Sequence, residues 1–250
     1  MAQYDKLDKV LNDSKMTNED WFNLAKVLGI NEEDVPALQS AKRKLFNKEL
    51  RHSYGHTILN LGRNEFEPDY REIVCGTAKK LEVEKEIELS KAAIEEIEDK
   101  IIIKVLSKIK DEIIKKEGME AWQKIEDSVE SEVQKVIAEG KCPKDAADDL
   151  LKLRGPALFA AIFAGRMAGF GLYMVVNQLV FVVARQLGIS VGVAVVGPIV
   201  GRFLATVLGP AGWLASAAWL AWDLGDTNWK RVIPAIFIIA SLRKRFLYEF

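Results

Sequence analysis

Histidine and cysteine are scarce in this sequence, two of each in 250 residues. Cys75 and Cys142 lie far apart and form no C-x-x-C, which excludes a disulfide framework and a cysteine zinc site and suits a reducing compartment. His52 and His56 are four apart, a spacing that places two imidazoles on one helical face. Gly55 lies between them, however, there is no H-E-x-x-H, and a metal would need Asp or Glu to complete its shell. They read as a structural pair. No metal and no cofactor is expected, and no phosphate loop is present. The opening residues MAQYDKLDKV hold no apolar run, so no signal peptide is expected.

Acid is missing where it matters most. From Gly155 to Trp222 there is no Asp or Glu, and the formal charges are Arg166, Arg185 and Arg202 alone. The uncharged runs 167–184, 186–201 and 203–222 approach the roughly 18–20 apolar residues that cross a hydrocarbon core. Glycine concentrates here, eleven of seventeen falling between Gly155 and Gly225. Gly165 with Gly169, Gly188 with Gly192 and Gly197 with Gly201 are small-x-x-x-small pairs that let helices approach closely. An arginine at the centre of a membrane helix costs roughly 2.5–3.5 kcal/mol, but at helix ends it snorkels to the interface. Trp213, Trp219, Trp222 and Trp229 crowd together as an interfacial belt would, or as core aromatics do. The segment Val232–Leu242 contains Pro234 and is too short to span, so it is expected on the surface or against the tract. Arg243, Lys244 and Arg245 then favour the cytoplasmic side or anionic lipid.

The rest of the chain is charged. Residues 155–250 hold eight basic and three acidic residues; from totals of 35 and 36 this leaves 27 basic and 33 acidic residues in 1–154. Halves of +5 and −6 fit a cytoplasmic domain preceding a membrane region, or an acidic half that covers a basic one in a single globule. Basic residues at Lys42, Arg43, Lys44 and Lys48 are diluted by nearby acids, and no nucleic-acid partner is expected.

Local patterning is helical throughout. Residues 4–30 read as two short helices with a break near Asn12–Ser14; Thr17 and Asp20 form a capping box, Trp21, Leu24, Ala25 and Leu28 an apolar stripe, and Gly29 a stop. Pro36 fits the start of a further helix. Within 84–139, Ile87, Ile94, Ile97, Ile101, Val105, Ile109 and Ile113 step by three, four or seven. Gly118 interrupts, and Trp122, Ile125, Val129, Val133 and Ile137 follow, which makes a helical hairpin. Pro143 marks a hinge, and a short helix over Asp145–Leu153 leads into Gly155-Pro156. Glu49, Arg63, Tyr70 and Glu72 would meet as a polar cluster if their helices converge, but their spacing selects no reaction, so no catalytic residue is assigned and no enzyme is expected.

Two stretches carry a resemblance. Glu49-Leu50, Gly55-His56-Thr57-Ile58, Asn60, Arg63, Tyr70, Glu72-Ile73, Lys79-Lys80-Leu81 and Val83 resemble the central motif of the bacterial YaaW-like uncharacterised proteins, and so does the tail Gly209-Pro210, Gly212-Trp213, Trp219, Asp223, Arg231, Ile233-Pro234-Ala235 and Leu242-Arg243. The sequence departs at His56, where the family has Asn or Asp, and at Gly76-Thr77, where it has Asp-Val. The resemblance implies all-α structure and, since part of the family is likened to helical assembly chaperones, partner binding; it implies no activity.

Together these readings give an all-α chain: a soluble helical N-terminal half, and a glycine-rich apolar helical C-terminal half that inserts in a membrane or forms a buried bundle. Residues 1–45 form a small module, 46–143 a charged domain with the hairpin, and 144–250 the apolar region with its basic tail. The expected function is a non-enzymatic membrane-associated protein on the cytoplasmic side of a bacterial inner membrane, its partners lipid, a protein bound through 46–143, and further copies in an oligomer that is pore-like. The alternative is a cytoplasmic, soluble, chaperone-like assembly protein with the tract as its core.

Overall fold

A computed structural model describes residues 6–55, 68–140, 142–164, 166, 169–186 and 229–248. Every regular element among them is a helix. In chain order they are α1 (Lys6–Leu11), α2 (Asn18–Leu28), α3 (Gln39–Tyr54), α4 (Tyr70–Lys80), α5 (Ile94–Glu117), α6 (Met119–Ala138), α7 (Lys144–Lys152), α8 (Pro156–Phe163), α9 (Gly169–Gln186) and α10 (Trp229–Tyr248).

The first elements form as their local chemistry dictates. Thr17 caps α2: its hydroxyl accepts from the Asp20 amide, and Asp20 accepts from the Thr17 amide in return. Gly29 ends the helix in the left-handed region, φ 70°, with the Arg231 guanidinium of α10 lying where a Cβ would go. Trp21, Leu24, Ala25 and Leu28 are all buried. Pro36 does not open the next helix; α3 begins three residues later, at Gln39.

The hairpin of α5 and α6 turns at Gly118, φ 89°. The helix begins at Ile94 rather than at 84, because Val83–Lys85 is a 3₁₀ turn and turns fill the interval. Pro156 sits in the first turn of α8, where its missing N–H costs nothing. The described part of the apolar tract, α8 and α9, packs on this charged hairpin: α9 lies along α6, and Phe159 of α8 meets Trp122 edge-on at 5.9 Å. Leu172, Val175, Val176, Leu179 and Val180 are buried.

α10 is the centre of the bundle. It touches α1, α2, α3, α4, α5 and α9, and residues 232–240 are buried without interruption. Val232–Leu242 therefore does not lie on the surface; it packs against the described part of the tract, α9, and against five other helices besides. It is the middle of a twenty-residue helix drawn from the third expected segment and packed against helices of the first two. Pro234 is tolerated near the start, where the missing N–H leaves one carbonyl, that of Lys230, without its helical partner.

α9 coincides with the first long uncharged run. Among the described residues no helix is long and apolar enough to cross a membrane, so the expectation of an inserting half finds no support in the described helices. The runs 186–201 and 203–222 lie, Gln186 apart, outside the described residues.

One close approach fixes how α3, α4 and α10 meet. Trp229 stands edge-on to the Tyr54 ring, centroids 6.0 Å apart, and the Tyr54 hydroxyl occupies the space over Gly76, 1.7 Å from where a Cβ would stand. Gly76→Ala is expected to cost about 1–3 kcal/mol through overpacking. Tyr54→Phe in the same chain should recover part of that loss. Urea unfolding of the single and double variants checks both.

Candidate functional site

An acid interrupts the isoleucine stripe of α5. Glu98 follows Ile94 by four and precedes Ile101 by three, so the helical period carries it to the buried face, and it is 0% exposed. A buried carboxylate needs partners, and two other helices supply them. Tyr70, the first residue of α4, donates its hydroxyl to Glu98 Oε1 at 2.7 Å. Arg243 of α10 donates through Nη2 to Oε1 at 3.0 Å and through Nε to Oε2 at 3.2 Å, the planar two-pronged geometry that guanidinium offers a carboxylate. Its guanidinium carbon is 5.9 Å from the Tyr70 ring centroid, and Nη1 is 3.9 Å from Glu95.

Local structure holds each partner in place. Asp69 caps α4 by accepting from the Glu72 amide at 2.7 Å. Arg71 donates to the carbonyls of Leu89 and Ala92, both at 2.8 Å, which ties α4 to the turn that launches α5. Two further pairs flank Arg243. Lys244, also buried, pairs with Asp99, and Arg245 makes a second two-pronged contact, to Asp20 at 3.0 and 2.7 Å. Asp20 is the same residue that completes the α2 capping box. Lys15 closes the row by donating to the carbonyl of Phe246 at 2.9 Å.

Burial dominates the titration of this site. It pushes the Glu98 carboxyl upward, with Arg243 and the Tyr70 hydroxyl pulling it back. It pushes Asp99 upward likewise against the pull of Lys244. Tyr70 is raised well above the usual phenol value, by burial first and the Glu98 charge second. Burial and the Glu98 charge thus favour Tyr70 as a protonated donor, and the cluster joins α4, α5 and α10.

The expected residues are placed as follows. Arg243, Lys244 and Arg245 direct their charges into the bundle, to Glu98, Asp99 and Asp20. Trp229 is half-buried against Tyr54. Arg166 is exposed, and Gly169 opens α9. Arg185 lies in the last turn of α9. Gly165, Gly188, Gly192, Gly197, Gly201, Arg202, Trp213, Trp219 and Trp222 fall outside the described residues, as do Arg63 and His56. Of the four residues expected to converge, Tyr70 does enter a polar cluster, but with Glu98 and Arg243; Glu72 is exposed and Glu49 half-buried. His52 is exposed. Among the described residues no group of three His, Cys, Asp or Glu side chains is arranged to hold a metal. Glu98 was missed, though an acid inside an isoleucine stripe was its visible signal.

No protein-family model and no solved structure matches the chain. Over 179 residues, 70% of its length, it is 26% identical to a UPF0174 protein of Helicobacter pylori strain J99, and the chain spans 60% of the length of that curated relative. The similarity supports a place in an uncharacterised bacterial family. It does not single out the YaaW-like one.

Replacing Arg243 with Met leaves Glu98 buried without its cation, and a loss of about 3–5 kcal/mol is expected. The Glu98 carboxyl, already raised by burial, then rises further. A group whose folded pKa lies above its unfolded value contributes stability that is present at low pH and lost as pH rises. Arg243→Met should therefore sit closer to the native protein at pH 5 than at pH 8, as measured by urea unfolding at both.

Proposed function

We propose that this chain is a non-enzymatic helical interaction protein of the assembly or chaperone-like kind, whose apolar C-terminal region belongs to its own core. The observation that carries the reading is the seating of α10, buried over residues 232–240 and fixed by three ion pairs to the acidic half. The packing of α9 along α6 supports it, since apolar surface that covers the chain's own hairpin is withheld from lipid. In this reading the protein works in the bacterial cytoplasm, consistent with Cys75 and Cys142 as free thiols, and a protein partner binds the charged 46–143 region.

The second reading is membrane insertion as an oligomer, with the tract 155–222 entering lipid. It is favoured by the uncharged runs and by the paired small residues from Gly165 to Gly201. Fractionation of the untagged protein between carbonate-washed membranes and cytosol separates the two. The core reading expects the protein in the cytosolic fraction. Retention in the washed pellet overturns it, and loss of a detergent-stable oligomer on replacing Gly165 and Gly169 with Ile would then favour insertion.

A further inference from the structure

Opposite charges flank one corner of the molecule without meeting. Between α2 and the second turn of α3 the chain reads Glu32-Glu33-Asp34-Val35-Pro36-Ala37-Leu38-Gln39-Ser40-Ala41-Lys42-Arg43-Lys44. The three acids precede Leu38 by six, five and four positions, and the three bases follow it by four, five and six. Glu32–Asp34 is a 3₁₀ turn, exposed throughout. In α3, Lys44 is exposed and Lys42 and Arg43 are half-buried. Cations this near the N-terminal end of a helix gain nothing from its dipole.

Neither run is neutralised at home. Among the described residues no ion pair joins any of the six to an opposite charge. Lys42 and Arg43 donate instead to the neutral side chains of Asn18, at 3.1 Å, and Asn12, and Asp34 accepts from Asn31 at 3.0 Å. Leu38 stands between the runs and is 72% exposed. It is held there: its carbonyl accepts from the amides of Ala41 and Lys42 at 3.0 and 2.9 Å, and Val35 packs on the core three residues before it.

We infer that this corner is a self-association surface, occupied by the same corner of a second copy of the chain. A two-fold axis passing beside Leu38 sets leucine against leucine, and the same rotation brings each acidic run to the basic run of the other chain. Both sets of charges are then neutralised, which neither achieves within its own chain. An anionic surface would attract the bases but repel the acids at the same corner, whereas a second copy offers both signs in the order required. The net charge of −1 leaves little long-range repulsion to oppose the encounter. The surface is small, so the pair is weak and its charges are screened by salt.

Sedimentation velocity of the full chain, at up to about 200 µM so that micromolar association shows, tests this. A monomer–dimer equilibrium is expected at low salt, weakening as sodium chloride rises toward about 0.5 M. Leu38→Asp should abolish the dimer with helicity unchanged, since the side chain is exposed. Lys44→Glu and Glu32→Lys should each weaken it about tenfold, because the two-fold repeats every change. Mixing those two variants should restore association as heterodimers, for acid then faces base at both contacts. A chain that is monomeric throughout overturns the proposal. So does a dimer that survives Leu38→Asp, which forms through another surface, or a mixture that associates no better than either variant alone. A native chain that stays monomeric but pellets with anionic vesicles, beside a Lys44→Glu variant that does not, would give the bases to lipid and overturn it likewise.

Discussion

The register of the whole bundle depends on one buried carboxylate. Glu98 sits among isoleucines, where an ionised acid is tolerable only with a cation and a donor in contact. Arg243 and Tyr70 meet that demand from two other helices, so α4, α5 and α10 can dock in a single way. Slide α10 by one residue and Arg243 leaves Glu98, Lys244 leaves Asp99, and Arg245 leaves Asp20 in the same movement. Apolar packing alone would accept several registers of a Val/Ile/Ala-rich helix; the row of three basic residues accepts one.

The same contacts give meaning to the uneven charge of the chain. An excess of acid in residues 1–154 and of base in 155–250 is what two parts of one core carry when ion pairs join them across distant sequence. Such pairs contribute specificity more dependably than net stability, because each ion must first lose its water. The apolar contacts of 232–240 with the surrounding helices supply the driving force, and the charges direct it.

What was legible in the sequence was what neighbouring residues decide. The Thr17–Asp20 capping box, the stop at Gly29, the Gly118 turn and the break at Pro143 each depend on a few adjacent residues, and each stands where the pattern put it. Arg243, Lys244 and Arg245 were misleading for the opposite reason. Locally, three basic residues after an apolar run look like the edge of a membrane, and the acids that claim them lie 145 to 225 positions away. Gly76, which the family resemblance marks as a departure, gains its reason only when Tyr54 arrives over it from another helix.

The seating of α10 also has a kinetic side. Its partners on α1 and α2 are more than two hundred residues away along the chain, so the central contacts are among the most non-local in the molecule. Closing so long a loop carries an entropic cost before any burial rewards it, and chains ruled by distant contacts fold slowly for that reason. Until α10 arrives, the apolar faces of α2 and α3, with Trp21, Leu28, Phe46 and Leu50, have no central helix to cover them. Exposed apolar faces of that kind are what make a partly folded chain prone to aggregate, so the docking of α10 closes the window in which α2 and α3 can stick to other molecules.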